Sequence, residues 1–261
     1  MKKILILFFI TACQPDLYVK PLPNAHAHND YMHDRPLLDA LDNGFTSVEA
    51  DVHLIEGKLL VTHDAPENPN AVRTLEEVYL TPLKRHIAKN DGKVYKGYTD
   101  SFYLMIDFKT EALPTYIALK KVLAKYESML TIVNNGIEQK NGPVKVFISG
   151  NRPYSEIMQE EVKLATLDGR PDDLGKDIPS VYMPVVSQNV SSFLSWTGEG
   201  EIDSTEKSNL LDFINKAHKE NKKVRLWATP DTPEAWNFLT KSGVDLINTD
   251  RLSELRVFLN K

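Results

Sequence analysis

The chain is 261 residues long, 42% hydrophobic and 26% charged, with a formal charge of -5 and a single cysteine. The mild acidity argues against a nucleic-acid surface, which requires a basic stripe, and one cysteine excludes an intrachain disulfide. The length fits one α/β barrel or two small domains, and since no low-complexity segment, long charge run or Pro/Gly-rich linker divides the chain, a single domain is expected.

At the amino terminus, Met1-Lys2-Lys3 gives a positive start, Ile4 to Ile10 is a compact apolar run, and Thr11-Ala12 places small residues before Cys13. That order reads as a secretory signal. The apolar run is far below the roughly 20 residues needed to span a bilayer. A cysteine at the cleavage point resembles the lipobox of bacterial lipoproteins. The resemblance implies a signal peptide over residues 1–12, Cys13 as the lipidated first residue, and a tether over residues 13–20. It also implies a lipid-anchored place in the cell envelope, at an outer membrane facing the periplasm. Loss of the signal takes Lys2 and Lys3 with it and moves the formal charge from -5 to -7. Residues 21–261 remain as the folded domain.

From there strand and helix signals alternate, which favours parallel strands with helical crossovers. The expected strands are Pro23 to His26, Thr46 to Val52, Phe102 to Ile106, Val144 to Ile148, Lys163 to Thr166, Ser180 to Pro184, Val224 to Ala228 and Val244 to Ile247. Eight strands fit a closed (β/α)8 TIM barrel. Leu130 to Val133 competes as a strand of its own, and Glu56 to Val61 either extends the second strand or forms a hairpin arm that delivers His63. Pro114 opens a helix over Thr115 to Tyr126. Ser204 to Lys219 carries Leu210, Leu211, Phe213, Ile214 and Ala217 on one helical face, and Asp231-Thr232-Pro233-Glu234 opens a last helix that Ser242-Gly243 closes.

The chemistry gathers at the early strand ends, where a barrel of this kind assembles its site. Glu49 and Asp51 are two apart on a strand and share a face. Carboxylates held that close repel one another unless a cation lies between them, and oxygen ligands suit Mg²⁺ or Ca²⁺. Asp107, ending the third strand, is the third expected ligand of one divalent cation. The alternative for the pair is strand capping or pairing with Arg35 or Lys58. His28 and His63 are the expected proton carriers, since imidazole titrates near neutrality. Lys109, on the same side as Asp107, can neutralise a phosphate oxygen. His26 is open to several roles: metal neighbour, a partner standing behind a metal ligand, substrate contact, or the true counterpart of His28.

At these residues the chain resembles the phosphatidylinositol-phospholipase-C-like superfamily and, within it, the glycerophosphodiester phosphodiesterases. That family carries a histidine at the first strand end, a Glu-x-Asp pair at the second, a Val-x-His-Asp step, and an acid-x-Lys segment at the third. Here those are His28 or His26, Glu49-Ala50-Asp51, Val61-Thr62-His63-Asp64 and Asp107-Phe108-Lys109. Arg225-Leu226-Trp227 and the closing run from Gly243 to Asp250 are similar to the family's last strands. The family's usual His-Arg-Gly opening is replaced by His28-Asn29-Asp30-Tyr31, and the spacing from Glu49 through His63 to Asp107 is closer to sphingomyelinase D relatives.

The resemblance implies a metal-dependent phosphodiesterase acting on a glycerophosphodiester or a phospholipid, with one histidine taking the nucleophile's proton and the other protonating the leaving oxygen. It also implies that Trp227 stacks on the substrate body and that Arg152 contacts the leaving group. Two alternatives stand beside it. His26-Ala27-His28 also reads as the His-x-His metal pair of an amidohydrolase, although later strands lack the further histidines such a site requires. A lipid-anchored binding protein that has lost turnover is the other.

Overall fold

The computed structural model describes residues 19–261; the expected signal peptide, the expected lipidation at Cys13 and most of the expected tether fall outside the described residues. In chain order the elements are β1 (Leu22–Ala27), α1 (Leu38–Asp42), β2 (Phe45–Ile55), β3 (Lys58–Val61), α2 (Thr81–Lys89), β4 (Phe102–Phe108) and α3 (Ala112–Leu123). They continue with β5 (Ile132–Asn134), β6 (Ile137–Lys140), β7 (Val144–Gly150), α4 (Tyr154–Gln159), β8 (Val162–Lys163), β9 (Thr166–Gly169) and β10 (Val185–Asn189). The chain ends with α5 (Ser204–Lys219), β11 (Lys223–Trp227), α6 (Pro233–Ser242), β12 (Leu246–Thr249) and α7 (Leu252–Leu259).

Eight of these strands are parallel and close on themselves in the order β1-β12-β11-β10-β9-β7-β4-β2, with β2 returning to pair with β1. The expected (β/α)8 barrel is therefore the fold. β2 runs on past the barrel wall and pairs antiparallel with β3, so the Glu56–Val61 segment is the hairpin arm. Alternation along the strands divides the core in two. On β4, Leu104, Ile106 and Phe108 join the large apolar layer under the helices, whereas Tyr103 and Met105 face the barrel axis and pack with Phe147, Val185 and Leu246. That small inner cluster plugs the barrel, and truncating a fully buried member such as Met105 to alanine is expected to cost roughly 2–5 kcal/mol.

Helix signals at the end of the chain behave as their chemistry dictates. Thr232 accepts a hydrogen bond from the Ala235 amide at the start of α6, and Gly243, with φ of 91°, turns the chain away at its end. Two strand assignments need correction. The fifth barrel strand is Thr166–Gly169 and not Lys163 to Thr166: Val162–Lys163 pairs with β5 in a separate three-stranded sheet that also holds β6. There the buried Lys163 amine lies 4.1 Å from the centroid of the Tyr182 ring. The sixth strand is Val185–Asn189 and not Ser180 to Pro184. Tyr182 and Met183 are tied by their amides into a turn on Pro179, and Pro184, which has no N–H to give to a ladder, stands outside the strand that follows it. The competing segment at Leu130 to Val133 does contribute a strand, but to the small sheet.

Candidate active site

Above the inner plug, the same alternation points a ring of polar side chains into the barrel at the carboxyl ends of the strands. Asp51, Asp107 and Ser149 stand side by side in register on β2, β4 and β7. Glu49, Asp51 and Asp107 offer carboxylate oxygens that all lie within 4.8 Å of one another. Gly150 lets this happen, because a Cβ there would sit 2.5 Å from the Asp107 Oδ1.

Each acid has a distinct environment. Glu49 is buried, and although burial alone would raise its pKa, the Arg225 guanidinium 2.7 Å away holds the carboxyl well below its usual range. Asp51 goes the other way, pushed up to about 6 by burial and by the charge of Glu49. Its Oδ2 accepts from the Tyr31 hydroxyl at 2.8 Å and from Lys109 Nζ at 3.0 Å, while its buried Oδ1 takes no hydrogen bond. Asp107 is raised by burial against the opposing pull of Lys109, whose Nζ is also 3.0 Å from Asp107 Oδ1. An all-oxygen donor set, an orphaned buried carboxylate oxygen and two carboxyls that resist ionising together fit a hard divalent cation. Neither Arg35 nor Lys58 pairs with Glu49 or Asp51; Arg35 is bound to Asp39 and Asp42.

The two histidines of the first strand end differ sharply. His26 is wholly buried, with Nδ1 2.7 Å from Ser47 Oγ and Nε2 3.7 Å from Glu49. Burial, then the charge of Arg225, lowers it to about 4, so it is neutral at pH 7. It is closed to solvent, and its Nε2 makes no hydrogen bond among the described residues. His28 is partly exposed. Its Nδ1 lies 2.9 Å from Asp250 Oδ1 and its Nε2 3.9 Å from Glu49. Burial pulls its pKa down, but the bond to Asp250 and the charges of Glu49 and Asp250 outweigh that and raise it.

His63 sits just beyond the hairpin arm. The Thr62 amide donates to the Asp51 carbonyl, and the His63 carbonyl lies 3.1 Å from His53 Nε2, which fixes the loop beside the second strand. The His63 ring is exposed, and its one hydrogen-bond partner among the described residues is Asp64, at 3.1 Å. Trp227, at the end of β11, is exposed at the mouth. Arg152 is committed elsewhere: its Nη1 donates to the Asp168 carbonyl and to Asp173 Oδ2. It nevertheless lines a cavity of about 1060 Å³ together with Lys109, Gly150 and Asn151.

Four groups had no assigned part in the sequence reading: Arg225, Tyr31, Asp250 and Arg170. Arg225 shares strand parity with Trp227, which is the signal that could have found it. Tyr31 completes the His28-Asn29-Asp30-Tyr31 run, whose Asn29 takes a left-handed conformation at φ 44° and whose tyrosine reaches both Asn29 and Asp51.

Comparison with known proteins bears on this geometry. Residues 16–166 match the family described as the AIM6-like phosphodiesterase domain. The chain is 30% identical over 263 aligned positions to the altered inheritance of mitochondria protein 6 homolog of Arthroderma benhamiae, covering 89% of this chain and 82% of that protein. It is 28% identical to altered inheritance of mitochondria protein 6 of Kluyveromyces lactis, covering 91% and 72%. Among solved structures, the fold is similar to a glycerophosphodiester phosphodiesterase from Agrobacterium tumefaciens, with a TM-score of 0.52 at 13% identity over 92% of this chain and 100% of that one. It is also similar to an Oleispira antarctica phosphodiesterase in complex with sn-glycerol-3-phosphate, with a TM-score of 0.55 at 15% identity over 92% and 98%.

Proposed function

The chain belongs to the AIM6-like phosphodiesterase family, and from that premise we propose that it is a divalent-cation-assisted hydrolase of glycerophosphodiester or phospholipid-type phosphodiesters. The observation that carries the reading is the meeting of Glu49, Asp51 and Asp107 within 4.8 Å beside His28, at the mouth of a closed barrel. The three acids would hold Mg²⁺ or Ca²⁺. Bound there, the cation supplies Lewis-acid polarisation of a phosphoryl oxygen.

The protein's own groups do the rest. Asp250 orients the His28 ring through Nδ1, so Nε2 is the nitrogen that exchanges a proton with the attacking oxygen. His63, exposed on the loop after the hairpin arm, donates a proton to the departing alkoxide. Lys109 carries positive charge against the phosphate as well as between Asp51 and Asp107. Trp227 offers an aromatic face to the substrate body. Where the substrate has a hydroxyl next to the phosphate, His28 takes that hydroxyl's proton and a cyclic phosphate results; otherwise water is the nucleophile. The lipoprotein reading of Cys13 would hold the enzyme at the envelope membrane, near such substrates.

The later strands supply Asp107, Ser149, Asp168, Ser187 and Arg225 to the mouth, with no histidine among them, and this favours phosphodiester cleavage over an amidohydrolase built on His26 and His28. Hydrolysis of an aryl phosphodiester by the purified protein with Mg²⁺, Ca²⁺ or a chelator tests the reading. Activity is expected to need the cation and to vanish in Asp51→Asn; turnover indifferent to both would refute it.

A further inference from the structure

Next to the acids around the mouth is a second set of interior polar groups, carried by β7, β9 and β10. Asp168 is wholly buried, and its carboxylate accepts three hydrogen bonds: from Ser149 Oγ at 2.8 Å, Ser187 Oγ at 2.7 Å and Arg170 Nη1 at 2.7 Å. Arg170 follows β9 in extended conformation, with φ of -127° and ψ of 162°. With Gly169 between them, Asp168 and Arg170 therefore point to the same side of the strand, into the mouth. Arg170 Nη1 also donates to the Gly169 carbonyl at 2.8 Å, and Nη2 donates to Ser149 Oγ at 3.1 Å. Ser149 is the register neighbour of Asp107, and adjacent strands lie roughly 4.8 Å apart. The guanidinium thus hangs one strand away from the acid cluster. Its side chain is 30% exposed, and among the described residues its Nε makes no hydrogen bond.

A buried carboxylate paired with a guanidinium is weak support for stability, because desolvation offsets most of the attraction. What the arrangement does achieve is aim. Two serines from neighbouring strands fix the Asp168 carboxylate, the carboxylate and Ser149 fix the two arms of the guanidinium, and Nε–H and one Nη2–H are left without a partner among the described residues, a planar pair of donors suited to phosphate oxygens. Arg152 lacks such a frame: only its Nη1 is held, by the Asp168 carbonyl and the Asp173 carboxylate.

We propose that Arg170 is a substrate-binding residue whose guanidinium takes an anionic oxygen of the phosphodiester, with Asp168, Ser149 and Ser187 as the frame that positions it. The inference rests on the phosphodiesterase reading and adds a subsite to it. Together with Lys109 it places a cation on either side of the bound phosphate.

Inorganic phosphate is the probe, titrated by calorimetry into the full-length protein with and without Mg²⁺, alongside KM and kcat for an aryl phosphodiester. Arg170→Gln alone leaves the Asp168 charge buried and unpaired, so the informative variants are Asp168→Asn/Arg170→Gln, which removes both charges, and Arg170→Lys, which keeps the charge without the fork. The double variant is expected to melt near the wild type, to bind phosphate at least tenfold more weakly and to show at least a tenfold higher KM. Arg170→Lys should fall between the two. Wild-type phosphate affinity and KM in both variants would overturn the proposal and leave Arg170 as a neutraliser of Asp168; a wild type that binds no phosphate would overturn it too. A wild type that cleaves no phosphodiester yet needs Arg170 to bind phosphate would sink the enzymatic reading while sparing the subsite.

Discussion

Arg225 and Glu49 are 176 residues apart in sequence and meet at 2.7 Å inside the barrel, both buried. The pair joins the seventh barrel strand to the second across β12 and β1, with Arg225 Nε also donating to Asn248 at 2.9 Å. Removing one partner leaves a buried charge uncompensated, so Arg225→Met should cost about 3–5 kcal/mol of stability. Glu49→Gln/Arg225→Met, which removes both charges, should cost less than Arg225→Met alone. Urea unfolding of the three proteins measures this, and a double variant less stable than Arg225→Met would show that the pair is not what holds these strands.

Binding of a divalent cation to the acids should be visible without any substrate. Mg²⁺ or Ca²⁺ at a hundredfold excess over its dissociation constant stabilises the native state by about 2.7 kcal/mol, so the melting temperature should rise with the cation and fall back with a chelator. Asp107→Asn removes one of the three oxygen donors and should abolish most of the rise. An equal rise in that variant would place the cation elsewhere.

The acids and the barrel were legible in sequence for one reason: both depend on strand parity, which a local pattern displays. Glu49-Ala50-Asp51 shows its two inward positions directly, whereas the short apolar run after β2 fits a strand extension as well as the hairpin arm that forms. The middle of the barrel was not legible in the same way. Val181-Tyr182-Met183-Pro184-Val185-Val186 is one apolar stretch whose first half is a turn and whose second half is the strand, and only the prolines at 179 and 184 hint at the frame. Parity with Trp227 marks Arg225 as inward-facing, but which residue it meets, like the pairing of Asp250 with His28, depends on ring closure of the barrel and leaves no trace in local spacing.

In the proposed mechanism His28, and not the buried His26, carries the proton. His28→Asn should lower kcat by about 10²–10⁴-fold with the fold intact. Asp250→Asn removes an influence that raises the His28 pKa, so the ring should titrate at lower pH in that variant, as NMR of the labelled imidazole would report. A His28→Asn protein with near wild-type kcat would hand the role to another base.

Asp30 makes stability depend on pH. It is buried beneath the His28-Asn29-Asp30-Tyr31 turn, accepts from the Leu37 amide at 2.6 Å, and has a second oxygen, Oδ1, with no hydrogen bond. Burial pushes its carboxyl up to about 7 from an ordinary value of 3.8. The folded state therefore holds this proton over a range in which the unfolded chain has lost it, so the contribution of Asp30 is fully present below about pH 4 and declines as pH rises towards 7. Within that window the slope approaches about 1.4 kcal/mol per pH unit for this one group. Asp30→Asn keeps an acceptor for the Leu37 amide and cannot ionise, so the difference in unfolding free energy between variant and wild type should shift in favour of the variant as pH rises from 4 to 8. A difference constant across that range would mean that Asp30 ionises normally in the folded protein.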